Sequence, residues 1–210
     1  MRTETYTAQT ARWPASGRHI LAQFDDDSVV VYQAYRPSIG HYAAAHGDFL
    51  GGGFSLDRMS WIKPNFLWMM YRCGWAQKEG QEVVLAITLR RSAFDEILAA
   101  AVPSSHDTRR YATREEWELA VRSSDVRLQW DPDHGPRGEP LERRAIQLGL
   151  RGRMLAHYAK PWLLGVEDIT PFVREQHAVL GRDRTALLTP REDVYPCAPA
   201  TATQLGIDSE

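Results

Sequence analysis

The sequence lacks the short motifs that identify most nucleotide-using enzymes. It contains no P-loop, no dinucleotide-binding glycine fingerprint, no nucleophile elbow and no cluster of zinc ligands. These absences weaken the hydrolase and kinase interpretations. Function therefore has to be argued from individual polar residues and their neighbours.

The chain is also poor in cysteine, in net charge and in long apolar runs. Its two cysteines, Cys73 and Cys197, lie in a predicted helix and a proline-rich tail, so we expect no disulfide and a reduced, cytoplasmic setting. A net charge of -2 argues against a uniformly basic surface for nucleic acid but leaves a local patch open. No apolar run reaches transmembrane length and no secretory signal is recognisable, so no membrane partner is expected.

What is present is a globular composition. With 210 residues, 43% hydrophobic and 25% charged, the chain suits one domain with a real core. We predict a single α+β domain at residues 18–189, with a mixed or antiparallel sheet core flanked by helices. Residues 1–17 are predicted to be an N-terminal extension. Residues 190–210 are predicted to be a poorly ordered tail, because they are rich in proline and in small or polar residues.

The apolar periodicity predicts five strands and six helices. The strands are expected at 19–24, 29–35, 81–89, 126–130 and 145–150. The helices are expected at 38–46, 64–76, 92–101, 113–122 and 152–160, with a last one from Thr170, which is expected to cap it. Thr113 and Glu116 have the spacing of a capping box. Residues 131–136 are predicted to form a turn.

Residues 58–75 are the most informative segment, since they combine three tryptophans with a lysine before a proline. Pro64 suits the first helical position and would place Lys63 at the positive end of the helix dipole, where a cation is unfavourable. Such a breach of a local rule suggests an anionic ligand. Ser60, Trp61 and Lys63 supply a hydroxyl, a stacking surface and a cation, which together can hold a base and a phosphate.

The three tryptophans of this segment are spaced by seven residues. That spacing is more typical of a core stripe than of a base-stacking platform, so we expect Trp68 and Trp75 in the core and only Trp61 near a ligand. Arg72 follows Trp68 by four residues and is predicted to lie over its ring.

The predicted strand at 29–35 also carries polar residues. Alternation places Tyr32, Ala34 and Arg36 on one face and Gln33 and Tyr35 on the other. Arg36, at the strand end before a proline, is well placed to pair bidentately with a phosphate. An ordinary salt bridge is the alternative.

Two later segments hold further candidates. Gln147 is a polar residue within an apolar strand, so it either points to water or serves a pocket. Asp131, Asp133 and His134 lack any recognised metal-ligand spacing, and a plain turn is favoured over a metal site. Asp131 alternatively orients an arginine in the site.

Several segments together make the chain resemble the family called domain of unknown function 4291. The resemblance runs from about Arg18 to Val173, most of the chain, and the segments that carry it are Val31-Tyr-Gln-Ala-Tyr35, Arg58-Met-Ser-Trp-Ile-Lys-Pro64, Phe66-Leu-Trp-Met-Met-Tyr-Arg72, Gly74-Trp-Ala76, Val84-Leu-Ala-Ile87, Gln129-Trp-Asp-Pro132, Ile146-Gln-Leu-Gly-Leu150 and Val166-Glu-Asp-Ile-Thr170. The family name carries no activity.

The order of elements is also similar to the ADP-ribosyltransferase superfamily. This resemblance implies a first-strand residue that holds NAD, a second-strand serine that supports the nicotinamide ribose and a late glutamate that orients ribose and acceptor. Arg36, Ser60 and Gln147 match these places by order. Gln147 departs from the pattern, because an amide is neither a general base nor a negative charge.

Together these observations predict a protein that binds NAD or a related nucleotide and transfers ADP-ribose to a nucleic acid or another acceptor, without a metal. Arg36, Ser60 and Gln147 are the predicted catalytic residues. The predicted binding residues are Tyr32, Gln33, Tyr35, Arg36, Trp61 and Lys63. The alternatives are a non-catalytic module that binds RNA or nucleotides and a protein-interaction domain, and the oligomeric state is left open.

Overall fold

The structure is a computed structural model that describes residues 1–108 and 110–208. Its strands are β1 (Thr3–Thr5), β2 (Gly17–Arg18), β3 (Leu21–Phe24), β4 (Ser28–Tyr35), β5 (Ser60–Ile62), β6 (Val83–Arg90), β7 (Ala101–Pro103), β8 (Val126–His134), β9 (Pro140–Leu150), β10 (Leu163–Asp168), β11 (Leu188–Pro190) and β12 (Asp193–Val194). Its α-helices are α1 (Tyr6–Thr10), α2 (Pro37–His46), α3 (Phe66–Cys73), α4 (Arg91–Ala99), α5 (Arg114–Ser123), α6 (Gly152–Ala159), α7 (Thr170–Leu180) and α8 (Pro199–Leu205). A single turn of 3₁₀ helix follows α7 at Arg184–Ala186.

Two five-stranded sheets form the body of the protein. The first is antiparallel throughout, in the order β10-β6-β4-β3-β12. The second is mixed, in the order β2-β9-β8-β7, and β5 pairs with the end of β9. A small separate ladder joins β1 to β11. The α+β, single-domain class predicted from the sequence is confirmed.

The two large sheets are joined at one point, which positions the site. Directly after β5 the chain forms an antiparallel bridge to β4, in which the Tyr32 N–H donates to the Lys63 carbonyl at 2.7 Å and the Lys63 N–H donates back at 3.2 Å. Beyond this bridge β4 continues to Tyr35 as part of the first sheet, while β5 follows β9 in the second. The side chains on these diverging strand ends therefore face a shared space.

The first sheet is buried on both faces because β4 and β6 carry apolar residues at almost every position. Val29 and Val31 contribute to a core shared with the second sheet, α4 and α6. Tyr32 belongs to the opposite core, together with α3 and α7. This alternation is the one the sequence predicted, and it turns Gln33 and Tyr35 away from Tyr32.

Several element predictions are confirmed. The capping box of α5 is present, with the Thr113 side chain accepting from the Glu116 N–H and the Glu116 side chain accepting from the Thr113 N–H. Gly47 ends α2 in the left-handed conformation that a glycine adopts without strain.

No helix among residues 1–108 and 110–208 is both long and apolar enough to cross a lipid bilayer.

The predicted turn at residues 131–136 is wrong. β8 continues through these residues to His134, paired with β9, and the chain reverses only at residues 135–139. The long partner strand supplies hydrogen bonds to residues whose local propensity favours a turn, with an irregularity in the ladder between Pro132 and His134. Consequently Asp131 lies on a strand beside Gln147 rather than on a loop.

The expected cap of α7 is also wrong. Thr170 is the first residue of the helix, and its hydroxyl accepts the Val84 N–H at 2.9 Å instead of an N–H of its own helix. Seven of the strands given above had no predicted counterpart because they are short or lack clear alternation; they are β1, β2, β5, β7, β10, β11 and β12.

Both chain ends differ from the prediction of an extension and a tail. Within residues 1–17, Tyr6 and Trp13 are buried in the core. The described part of the predicted tail holds β12, α8 and the fully buried Glu192. Residues 209–210 of that tail lie outside the described residues. Local composition missed this order because it comes from tertiary contacts such as the Trp13 indole N–H donating to the Glu192 carbonyl at 2.8 Å.

Candidate functional site

A polar cavity of about 550 Å³, here called the central cavity, opens where the two sheets diverge. Its size is in the range of small-molecule sites. Its walls come from β4, β5, α3, β8 and β9 and the segments next to them. The lining residues are Gln33, Ala34, Tyr35, Met59, Ser60, Trp61, Lys63, Met69, Arg72, Gln81, Gln129, Asp131 and Gln147.

Lys63 is the most unusual residue of the central cavity. Its backbone makes the bridge between the sheets, and the residue is only 6% exposed. Its ammonium donates to the Trp61 carbonyl at 3.3 Å, and among the described residues no carboxylate lies within salt-bridge distance of it. Burial, followed by the nearby charge of Arg72, lowers the pKa of Lys63 to about 8. The ammonium is thus held at a free-energy cost, which an anion in the cavity would reduce.

The expectation that Lys63 stands at a helix start is wrong. Helix α3 begins at Phe66, and the side chain of Asn65 caps it by accepting the Trp68 N–H at 2.7 Å. The buried carboxylate of Glu192 accepts the Phe66 N–H at 2.7 Å and an Asn65 side-chain N–H at 3.1 Å. The acceptor that satisfies the helix terminus is therefore an internal carboxyl group, whose pKa burial raises well above its usual value. Lys63 faces the cavity for a different reason, the divergence of the strands.

Ser60, which also lines the central cavity, is held by a network of hydrogen bonds. The Gln33 side chain donates to the Ser60 hydroxyl oxygen at 2.8 Å and to the Trp61 carbonyl at 3.1 Å. The Tyr35 hydroxyl lies 2.9 Å from that of Ser60. The fully buried Tyr158 hydroxyl donates to the Gln33 side-chain oxygen, and burial raises the pKa of Tyr158, so that it remains a neutral donor. Ser60 is thereby fixed in orientation.

The opposite wall consists of side chains from a cross-strand pair. Gln129 on β8 and Gln147 on β9 are directly opposite each other. The Gln147 amide donates to the Gln129 side-chain oxygen at 3.0 Å and to Asp131 Oδ2 at 2.7 Å. Of the two possibilities predicted for Gln147, the structure has the one in which it serves a pocket. Among the described residues that line the cavity, Asp131 is the only carboxylate.

Trp61 supplies the aromatic surface, as expected. It lies on β5 opposite Gly149, where an added Cβ would come within 2.5 Å of Met59 Sδ and 3.0 Å of the Trp61 ring. Glycine at this position therefore allows Trp61 to lie close over β9. Trp68 and Trp75 are buried, as predicted, and the Arg72 guanidinium lies 5.7 Å from the centre of a Trp68 ring.

Two predicted binding residues lie elsewhere. Tyr32 is fully buried on the opposite face of the first sheet, with its ring edge against Phe66, so it does not reach the central cavity. Arg36 lies at the start of α2 and donates to the Gly53 carbonyl at 3.4 Å. It lines a neighbouring space, the arginine cavity, together with Arg58; Tyr35, Met59 and Ser60 line both spaces.

A third space adjoins the central cavity at the wall formed by β8. This outer cavity lies along β8 beyond the end of β7, and Gln129 and Asp131 line both it and the central cavity. Its other polar lining includes Arg18, Ser104 and Ser105. The arginine, central and outer cavities are therefore adjacent and share lining residues, and they are together called the cleft.

The side chains of Asp131, Asp133 and His134, which the sequence suggests as possible metal ligands, do not converge in the structure. Asp133 forms a buried ion pair with Arg143 at 2.6 Å, and His134 stacks on Tyr71. Asp131 alone faces the cleft. The described residues contain no group of three or more histidine, cysteine, aspartate or glutamate side chains arranged to hold a metal ion.

The sequence alone did not identify Arg72 and Gln129 as residues that line the central cavity. Arg72 was expected only to stack on Trp68, and Gln129 was not considered. A signal existed for Gln129, since it is a second polar residue in a strand that pairs with the strand of Gln147. Arg72 gave no such signal, because its approach to Lys63 depends on how α3 packs beside β5.

Comparison with known proteins agrees with the segments quoted above. A search of curated proteins finds no match. The family model described as Domain of unknown function (DUF4291) matches residues 19–195, which include both large sheets except β2 and the lining of all three cavities except Arg18. The chain belongs to the DUF4291 family.

Proposed function

We propose that the protein binds NAD or a related nucleotide in the central cavity and transfers ADP-ribose to a nucleic acid or another acceptor. The observation that carries the proposal is the buried ammonium of Lys63, which has no carboxylate partner among the described residues and faces a cavity also lined by Arg72 and Trp61. The identity of the nucleotide and of the reaction rests on the resemblance to ADP-ribosyltransferases.

The charges along the cleft favour an anion. The lining of the three cavities carries six cationic side chains and two carboxylates, a formal balance of +4 (6 − 2) on a chain whose net charge is -2. The cations are Arg18, Arg36, Arg58, Lys63, Arg72 and Arg110. Charge of one sign concentrated in a cleft raises the local potential and attracts ligands of the opposite sign.

The remaining lining suits the rest of a nucleotide. Trp61 offers a face for the base, and stacking is tolerant of base identity because every base has a π-face. Gln129 and Gln147 offer amide groups for ribose hydroxyls, while Gln33 holds Ser60. Such a set of a few polar groups beside an aromatic surface is typical of cofactor sites.

Arg36 fits the proposal as a second phosphate contact. It lies in the arginine cavity, which meets the central cavity at Ser60. A dinucleotide has two phosphates between its two nucleosides, so it can lie across Ser60 with one end in each cavity. Lys63 and Arg36 would then contact its phosphates, and Ser60 a ribose.

Calorimetric titration with NAD tests the proposal, with native protein compared with Lys63→Met and Arg36→Met. Loss of a charged hydrogen bond to phosphate costs about 1.5–3 kcal/mol, so each variant should bind about 10- to 100-fold more weakly. Arg174→Met is the matched control, because Arg174 is exposed on α7 and does not line the cavity. Adenosine, which has no phosphate, is the matched ligand and should discriminate little between native protein and Lys63→Met.

Absence of heat with native protein would refute nucleotide binding. Unchanged affinity in Lys63→Met would refute the assigned site. Incubation with labelled NAD and mixed nucleic acid separates transfer from simple binding, since the non-catalytic alternative predicts binding without label transfer. A cytoplasmic location belongs to the same proposal, because NAD and nucleic acids are both abundant there.

A further inference from the structure

We infer that Asp131 is the catalytic carboxylate of this site and that the acceptor approaches it from the outer cavity. The inference rests on the proposed function, since it names the residue that would perform the transfer. No part of the sequence-based prediction gave Asp131 this role; the late position was assigned to Gln147.

The first support is the place of Asp131 in the cleft. It is half-buried on β8 and lines both the central and the outer cavity. A donor in the central cavity and an acceptor in the outer cavity would therefore meet at this carboxylate. Gln129 lines the same two spaces but has no charge.

The second support is the contact with Gln147. The amide of Gln147 donates to Asp131 Oδ2 at 2.7 Å, and the same amide group also bonds Gln129. The Asp131 side chain is thereby oriented by the residue that stands where the related enzymes have their glutamate. Asp131 has a second oxygen, Oδ1, and the Gln147 contact is made through Oδ2 alone. Asp131 on β8 thus supplies the negative charge that Gln147 on β9 lacks.

The chemistry requires such a group. The bond between ribose C1′ and the nicotinamide nitrogen breaks, and its electron pair leaves with nicotinamide. An acceptor O–H or N–H attacks C1′ with its lone pair and forms the new bond, while its proton passes to the Asp131 carboxylate and then to water. The carboxylate also stabilises the positive charge that develops on the ribose before attack.

Nicotinamide release from NAD measures the step directly, with water and mixed single-stranded RNA as the two acceptors. Asp131→Asn keeps the shape of the side chain but removes its charge. We expect a fall of about 100-fold or more in release, the size that general acid–base catalysis commonly contributes, with NAD affinity by calorimetry within about threefold of native. Glu175→Gln, at an exposed position of α7, is the matched control and should leave both unchanged.

In the double variant D131N/Q147E the carboxylate is lost from β8 and a new one is placed on β9, its partner strand. It should regain part of the lost rate, which a purely structural role of Asp131 would not produce. Thermal melting of each variant checks that the fold is intact. If Asp131→Asn does not fold, the comparison is made between the native protein and Q147E, whose added charge beside Asp131 should alter the rate with little change in NAD affinity.

The outcomes separate the two proposals. Native release by Asp131→Asn would overturn the role of Asp131 and leave NAD binding intact. NAD binding by the native protein without nicotinamide release to either acceptor would overturn the inference and the transfer part of the proposed function, and would leave nucleotide binding standing. No NAD binding by the native protein would overturn the proposed function, and the inference with it.

Discussion

In one region of this protein, buried polar and charged groups are paired by other residues of the chain. In another region, a buried ammonium has no carboxylate partner among the described residues. Beside the start of α3 and the end of β8, Asp133 is paired with Arg143, and Glu192 accepts two hydrogen bonds from the helix terminus. In the central cavity, Lys63 is nearly as buried but its ammonium donates to a backbone carbonyl and faces open space.

This contrast separates buried charges that stabilise the fold from those that are available to a ligand. A charge that is surrounded by partners supplied by the chain itself has no need of a ligand, however deep it lies. A charge held without such a partner costs stability, and a protein retains that cost at a site where another molecule supplies the partner. Four substitutions test this distinction, in order of decreasing effect.

Arg143→Met should destabilise the protein most. It leaves the buried Asp133 carboxylate without its cation, which costs about 3–5 kcal/mol of the free energy of unfolding. Urea denaturation measures the loss. Arg191→Met removes a more exposed ion pair with Asp193 and should cost about 1 kcal/mol or less. Equal losses in both variants would remove the distinction between buried and exposed pairs.

Lys63→Met should do the reverse and stabilise the protein at neutral pH. The pKa of Lys63 is lowered from 10.5 to about 8, so the folded state disfavours the charged form by about 3 kcal/mol at pH values below 8. The unfolded state binds the proton more tightly, so native stability rises with pH between about 8 and 10.5. The advantage of the variant should shrink over that window, as followed by urea denaturation at several pH values. A variant less stable than native at pH 7 would contradict this.

Trp61→Ala should weaken nucleotide binding by about 10- to 100-fold, the equivalent of about 1–3 kcal/mol for a stacked base. Calorimetry with NAD measures it. Because Trp61 lines the cavity and Trp68 is buried, Trp68→Ala should lower the melting temperature more than Trp61→Ala does. The same loss of binding in a folded Trp68→Ala protein would argue against a direct role for Trp61.

Asn65→Ala should cost about 1 kcal/mol for the helix cap and about 1 kcal/mol more for the hydrogen bond that its side chain donates to Glu192. Asn65→Ser keeps an oxygen that can accept the Trp68 N–H and should recover part of that loss. Thermal melting compares the two. Greater stability of the alanine variant would show that the cap of α3 contributes nothing.

Much of the fold could be predicted from local pattern. The alternation of β4 and the apolar run of β6 need no distant information, since a strand buried on both faces must be apolar along its length. The capping box of α5 is equally local. The course of β8 past Asp131 could not be predicted, because it depends on pairing with β9, which begins only at Pro140.

The candidate site shows the same division. Lys63 was selected because it breaks a local rule and Gln147 because it is polar within an apolar strand. Ser60 and Trp61 were selected for the hydroxyl and the stacking surface that they add, and all four residues line one cavity. Arg36 was assigned by order along the chain, and order alone did not distinguish the central cavity from its neighbour.

Local sequence pattern was enough to identify two residues that secondary structure does not explain: a lysine between a tryptophan-bearing strand and a proline, and an amide in an apolar strand. The neighbours of these residues depend on how the chain packs. The end of the chain returns to place Glu192 at the start of α3, and the pairing of β8 with β9 brings Asp131 to Gln147. Both contacts join residues distant in sequence, and their free energy depends on packing and on exclusion of water, which no local pattern encodes.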